Sequence, residues 1–117
     1  MPQLISVGNK LFRINPVSNK LEISSSDGIL WITRGSINGR YGKLKDILWF
    51  HNQLFALTEK NLLRSRNEGC DWGSCGSGKI IEGLVAIQDG GRYLYALSSD
   101  GHFLQSYNEG ADWMRKG

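Results

Sequence analysis

An eight-residue segment that occurs three times at a constant interval is the feature that most constrains the fold of this chain. The copies read SSSDGILW, SRNEGCDW and SYNEGADW, and they begin at Ser24, Ser65 and Ser106, 41 residues apart each time. We call these segments the first, second and third box. A fixed period of about 40 residues predicts a repeat fold in which each copy is one supersecondary unit.

A short apolar run precedes each box. The runs are Leu11–Ile14, Leu54–Leu57 and Leu94–Leu97. Each follows residues that tolerate positive φ and close tight hairpins, namely Gly8-Asn9, His51-Asn52 and Asp89-Gly90-Gly91. Another apolar run lies before each of these turns, so every unit is predicted to begin with a β-hairpin.

The complete unit is predicted to contain four strands. In the first copy they are Leu4–Val7, Lys10–Ile14, Lys20–Ser24 and Leu30–Arg34. In the second they are Ile47–Phe50, Gln53–Thr58, Leu62–Arg66 and Asp71–Gly73, and in the third Leu84–Gln88, Arg92–Ser98, His102–Tyr107 and Asp112–Arg115. The prediction is an all-β chain with one repeat domain, divided into units at about 1–36, 37–77 and 78–117.

The boxes resemble the Asp-box, S-x-D-x-G-x-x-W, of sialidases and other BNR-repeat proteins. The residues that carry the resemblance are Ser24, Asp27, Gly28 and Trp31, then Ser65, Asn67, Gly69 and Trp72, then Ser106, Asn108, Gly110 and Trp113. In the first box Ser26 takes the acidic position and Asp27 comes one place late. The resemblance implies a β-propeller with four-stranded antiparallel blades, in which each box is a structural hairpin between the third and fourth strands.

Three blades are too few to close a propeller ring, which typically contains about four to eight. A homodimer that forms a six-bladed ring is the simplest way to cover the open edges, because two-fold pairing is the commonest oligomeric symmetry. The alternative is that further blades belong to a longer chain.

The loops between blades and the turns between second and third strands form the usual binding face of a propeller. Here these are Gly35–Lys45 and Ser74–Gly83, with Asn15–Lys20, Glu59–Asn61 and Ser99–Gly101. Basic and aromatic side chains in the two linkers can pair with a carboxylate and stack on a sugar ring, and the candidates are Arg40, Tyr41, Lys43, Lys45 and Lys79.

These features favour a non-catalytic, lectin-like carbohydrate-binding module. A protein-interaction scaffold and a fragment of a larger sialidase-like glycosidase are the alternatives. The resemblance implies that sialidase catalysis would need a cluster of arginines around the substrate carboxylate, a tyrosine nucleophile and an acid. The arginines of this chain cannot be matched to those motifs, and they are Arg13, Arg34, Arg40, Arg64, Arg66, Arg92 and Arg115. We therefore expect no catalytic residues.

The segment Gly73–Ile80 nearly spells a phosphate-binding P-loop, but Ile80 stands where a Ser or Thr should hold magnesium. The residues from Ile80 to Val85 read as a strand, so a flexible linker is predicted instead. Cys70 and Cys75 lack the spacing of a zinc site, and free thiols are expected. No metal or cofactor is predicted.

The charge and the hydropathy pattern exclude several classes of partner. The net charge of +3 is too small for a nucleic-acid arm or a polybasic membrane anchor. No apolar stretch approaches the roughly 20 residues of a membrane helix, and the N-terminus does not read as a signal peptide. The expected ligands are a glycan or a protein, with cytoplasmic location as the default.

Overall fold

The computed structural model describes residues 4–34, 37 and 39–117, which form three four-stranded antiparallel sheets. The first sheet contains β1 (Leu4–Val7), β2 (Lys10–Ile14), β3 (Leu21–Ser24) and β4 (Ile32–Thr33). The second contains β5 (Leu44–Phe50), β6 (Gln53–Thr58), β7 (Asn61–Ser65) and β8 (Gly73–Ser77). The third contains β9 (Leu84–Gly90), β10 (Tyr93–Ser98), β11 (Phe103–Ser106) and β12 (Met114–Arg115). Each strand pairs with its sequence neighbours, so the prediction of three four-stranded antiparallel units is confirmed.

The hairpins that open the sheets arise from the predicted turn residues. His51 and Asn52 both have left-handed backbone, with φ of 51° and 60°, and Gly8 has φ of 62°. Two consecutive positive φ values match the right-handed twist of the paired strands. The third hairpin differs from its prediction, because β9 continues through Gly90 and the turn lies at residues 91 and 92.

The prediction of a flexible linker over Gly73–Ile80 was wrong, because these residues form a strand and the start of a helix. Gly73–Ser77 forms β8, which pairs with β7 and contains a register shift opposite Leu62 and Leu63. Ile80 and Ile81, predicted as strand residues, lie in the one-turn helix α1 (Lys79–Glu82). The helix buries Ile81, and Gly83 closes it by donating its N–H to the carbonyl of Lys79 (3.1 Å). The helix has four residues and does not supply the long helix of a P-loop.

The core consists of two apolar layers between the sheets. One cluster lies between the first and second sheets and includes Phe12, Ile14 and Leu21 from the first and Leu54 and Leu63 from the second. The other lies between the second and third sheets, and its central residues are Phe55, Leu57, Leu62, Leu94 and Leu104. The second sheet therefore buries both faces, whereas the first and third each bury one.

Two polar side chains also connect neighbouring sheets. Asn19, in the turn between β2 and β3, exchanges two hydrogen bonds with the backbone of Leu44 at 2.9 and 3.1 Å. The fully buried Asp46 of β5 accepts the N–H of Ile87 in β9 at 2.9 Å. Because unpaired backbone groups are costly in a buried site, these bonds favour one position of each sheet relative to its neighbour.

Within the described residues, every helix is too short or too polar to cross a membrane. Cys70 and Cys75 are both free, and Cys75 is half-buried against the second apolar layer. Its thiol lies 3.4 Å from the carbonyl oxygen of Leu62. Burial raises the pKa of Cys75 to about 11, so it is a packing residue and not a thiolate at neutral pH.

Candidate functional site

The second and third boxes form the same hydrogen-bonded turn. In the second box the Ser65 hydroxyl accepts the N–H of Gly69 at 2.8 Å and donates to the amide oxygen of Asn67 at 2.8 Å. The same Asn67 oxygen accepts the N–H of Asp71 at 2.9 Å. The third box repeats these bonds with distances of 2.8 to 2.9 Å, and its four residues are Ser106, Asn108, Gly110 and Asp112.

The first box is a serine version of this turn. Ser24 accepts the N–H of Gly28 at 2.9 Å, as the serines of the other boxes do. Ser26 replaces the asparagine and accepts the N–H of Leu30 at 2.9 Å. Asp27 therefore does not take the acceptor position, but it has left-handed backbone with φ of 56°, like Glu68 and Glu109 in the other boxes.

The second and third boxes also connect their sheet to the preceding one. Glu68 pairs with Lys10 of the first sheet at 2.6 Å, and Glu109 pairs with Arg64 of the second at 3.0 Å. A Cβ on Gly69 would lie 3.3 Å from the Leu21 side chain. A Cβ on Gly110 would clash with the Leu62 side chain unless that side chain moved. These boxes are structural connectors between sheets.

A pocket of about 530 Å³ lies at the other end of the boundary between the first and second sheets. We call it the inter-sheet pocket. One wall comes from the turn before β3 and from the end of β4, and the opposite wall from the turn at residues 39–42, the start of β5 and Glu59. Its charged and amide side chains are Asn19, Lys20, Arg34, Lys43 and Glu59, and its apolar ones are Leu21, Ile37 and Leu44.

Several of these groups are held in place by bonds within the protein. The Nε of Arg34 donates to the carbonyl of Glu68 at 3.0 Å. Glu59 accepts the backbone N–H of Lys43 at 2.8 Å, and Gly42, with φ of 85°, lies so close to Glu59 that a Cβ there would clash. A terminal nitrogen of Arg34 also lies 3.9 Å from the Glu68 carboxylate, so part of its charge is paired within the protein. Glu59 is committed to shaping the loop, and Lys20 and Lys43 supply the remaining positive charge of the pocket lining.

The pattern of sheets matches that of several larger proteins of known structure. YCF48 from Cyanidioschyzon merolae is 14% identical, with a TM-score of 0.71 over 97% of this chain and 42% of YCF48. PorZ of Porphyromonas gingivalis is 16% identical, with a TM-score of 0.71 over 96% of this chain and 15% of PorZ. An ancestral GH74 enzyme is 15% identical, with a TM-score of 0.67 over 96% of this chain and 17% of the enzyme.

The three sheets are β-propeller blades. The chain spans less than half the length of each of these neighbours, and at these identities the likeness concerns the fold alone. No family model and no curated protein sequence matches the chain. We refer to the sheets below as the first, second and third blades, and to the pocket between the first two as the inter-blade pocket.

The predicted ligand residues do not lie together. Lys43 lines the inter-blade pocket, and Arg40 lies beside it on the 3₁₀ turn Gly39–Tyr41, stacked over the Tyr41 ring with 5.1 Å to the ring centroid. The Nζ of Lys45 donates to the carbonyls of Glu82 and Leu84, at 3.1 and 2.7 Å, and so anchors the α1 connection. Lys79 begins α1 and borders a separate shallow cleft. Gly35, Ser36 and Asn38 of the predicted binding loop lie outside the described residues.

Arg34 lines the pocket but is not among the predicted ligand residues, because the sequence places it in the predicted strand Leu30–Arg34. In the structure β4 ends at Thr33, and Arg34 follows it. The only sequence signal for it was its place at the beginning of the linker that follows the first box. Within residues 4–34, 37 and 39–117, no group of three His, Cys, Asp or Glu side chains is arranged to hold a metal ion.

Proposed function

We propose that this protein is a non-catalytic β-propeller module that binds an anionic carbohydrate in the inter-blade pocket. The observation that carries the proposal is the imbalance of charge around the pocket. Lys20, Arg34 and Lys43 line it, and Glu59 is the one carboxylate among its described lining residues. A carboxylate-bearing sugar would find charge-assisted hydrogen-bond donors on both walls.

The rest of the lining suits a sugar as well as an anion. Of the apolar lining residues, Leu21 and Leu44 are buried and Ile37 is half-buried, so Ile37 offers most of the apolar surface for the C–H groups of a pyranose ring. The hydroxyls of Ser18 and Thr33 also line the pocket. A volume of about 530 Å³ is in the range of small-molecule sites. This combination of apolar and polar lining residues supports recognition of one or two sugar residues.

The arrangement of carboxylates supports binding without hydrolysis. Glycosidases of the common kind place two carboxyl groups on either side of the scissile bond, about 5 to 10 Å apart. Glu59 has no second carboxylate opposite it among the described lining residues, and its own oxygen accepts the Lys43 N–H. The pocket therefore offers charge and shape for binding, with no acid and base pair.

An acidic peptide is the second candidate ligand. One structure with a TM-score of 0.71 to this chain is YCF48 bound to D1 peptide, at 14% identity over 92% of this chain and 37% of that one. This neighbour shows that a propeller of similar fold binds a peptide. The same lysine and arginine side chains would pair with aspartate, glutamate or a C-terminal carboxylate.

A glycan array with acidic and neutral members, followed by calorimetry on the best acidic sugar, tests the proposal. We expect binding to acidic members only, and a loss of about tenfold or more in affinity for Lys43→Glu and for Lys20→Glu. The matched control is Arg92→Glu, an exposed charge reversal in the third blade, at the opposite end of the fold from the pocket, which should leave affinity unchanged.

Each alternative result has a defined meaning. Folded protein that binds no acidic glycan, but binds a glutamate-rich peptide in a Lys43-dependent way, would replace the first candidate with the second. Equal binding of neutral and acidic sugars, or equal losses in Arg92→Glu and Lys43→Glu, would contradict the pocket assignment.

A further inference from the structure

The outer face of the third blade is apolar and exposed. Leu94, Ala96 and Leu104 pack against the second blade, so strand alternation places Tyr95, Leu97 and Phe103 on the opposite face. Leu97 is 44% exposed and Phe103 is 38% exposed. The rings of Tyr95 and Phe103 contact each other edge to face, with centroids 4.9 Å apart.

The same positions of the other two blades are covered by the blade that follows. The strand registers equate Tyr95 with Phe12 and Phe55, Leu97 with Ile14 and Leu57, and Phe103 with Leu21 and Leu62. All six of these counterparts are buried, with at most 3% exposure. At these positions the third blade therefore has apolar and aromatic side chains, as the two covered blades do. The terminal repeat of a repeat protein usually has polar side chains on its outer face instead.

The free face of the first blade matches the covering faces of the other two blades at its apolar edge and carries an ion pair at its centre. Leu11 has the register position of Leu54 and Leu94, which cover the preceding blade in the two internal boundaries. At the register positions of Ala56 and Leu63 in the second blade, which face the first blade, the first blade has Arg13 and Glu22. They pair at 2.8 Å, and Arg13 lies over the Trp31 ring at 4.2 Å from its centroid. Because the pair neutralises itself, this face can be covered without leaving an unpaired charge.

Among residues 4–34, 37 and 39–117, no blade precedes the first box. In the second and third boxes the left-handed glutamate reaches the preceding blade, where its partners are Lys10 for Glu68 and Gln53 and Arg64 for Glu109. The third blade has Tyr93 at the register position of Lys10 and Gln53, and Gln105 at that of Arg64. Both can donate hydrogen bonds to Asp27, the counterpart of the glutamates.

From these correspondences we infer that the outer face of the third blade docks against the first blade of a second copy of this chain, head to tail. Phe103 then packs on Gly28 of the partner copy as Leu21 packs on Gly69. Two chains that make this contact reciprocally form a closed ring of six blades. The inference does not depend on the ligand of the inter-blade pocket.

Light scattering coupled to size-exclusion chromatography tests the docking. We expect twice the 13.1 kDa chain mass for the wild type and the single-chain mass for Phe103→Glu. The matched control is Tyr107→Glu, an exposed aromatic in the third box, which should remain dimeric. Circular dichroism of both variants shows whether the sheets are intact.

A charge exchange identifies the face that the partner uses. Asp27→Arg should dissociate the dimer, and addition of Gln105→Glu should restore it. A wild type that is monomeric at 100 μM overturns the inference, and so does a species larger than a dimer. A dimer that survives Asp27→Arg also overturns it, because the face of the first blade that carries Asp27 would then not be the docking face.

Discussion

The buried carboxylate of Asp46 accepts a hydrogen bond from the backbone N–H of Ile87 at 2.9 Å and so joins the second blade to the third. Its other oxygen accepts the N–H of Ile47 at 2.9 Å. Desolvation outweighs these two bonds and raises the pKa of Asp46 to about 6. The folded protein therefore holds a proton that the unfolded chain releases near pH 4.

The first prediction concerns the pH dependence of stability. Because the native state binds the additional proton, the free energy of unfolding should fall as pH rises from about 4 to about 6, by up to roughly 3 kcal/mol. Asp46→Asn should remove this slope because asparagine does not titrate. It should also lower the free energy of unfolding by about 1 kcal/mol, since the amide nitrogen cannot accept the second backbone hydrogen bond. Urea unfolding of both proteins at several pH values gives the comparison. A slope that is equal in the two proteins would show that other groups cause it.

The second prediction concerns Gly76 in β8. A Cβ there would lie 2.6 Å from the carbonyl oxygen of Gly110 in the third box, whereas a Cβ on Gly73 of the same strand meets no described atom within 4 Å. Gly76→Ala should therefore lower stability by about 1 to 3 kcal/mol through overpacking. Gly73→Ala should be neutral or stabilising by less than about 1 kcal/mol. Thermal melts that rank the two variants in the opposite order would contradict this boundary between blades.

The third prediction concerns the asparagine of the second box. Asn67 donates its amide N–H to the Asp71 carboxylate at 2.8 Å, so the aspartate that is usual in the Asp-box pattern would place two carboxylates together. Asn67→Asp should lower stability by roughly 0.5 to 1 kcal/mol, since both residues are exposed. Adding Asp71→Asn should restore it. Failure of the second substitution to rescue the first would mean that Asp71 is not the cause.

The repeat made most strand positions predictable. β1, β2 and β6 have the predicted bounds because their turn residues and apolar runs are both strong local signals. β8 gave no such signal, because its sequence, GSCGS, has no apolar alternation and depends on pairing with β7. The one-turn helix after it was missed because burial of Ile81 determines that segment, and burial is a tertiary effect.

The sequence predicted which loops form the candidate site, but it did not predict which of their side chains line it. The turn before β3 and the linker that contains Lys43 do meet in one pocket. Lys45 was included as a ligand residue on its charge, and its carbonyl partners at Glu82 and Leu84 are about 40 residues away in sequence. Such long-range bonds leave no local pattern. Asp46 directly precedes the apolar run of the predicted strand Ile47–Phe50, and a carboxylate beside such a run is a local signal for a buried hydrogen-bonded group.

Binding of an acidic sugar in the inter-blade pocket is best tested by an amide-resolved NMR titration of the protein with a uronic-acid oligosaccharide. We expect saturable chemical-shift changes at the backbone amides of Lys20, Arg34 and Lys43, with those of Arg92 and the third box unmoved. A neutral oligosaccharide of the same length should shift none of them. Changes that centre on the boxes, or no changes up to millimolar sugar and millimolar glutamate peptide, would contradict a ligand site in the inter-blade pocket.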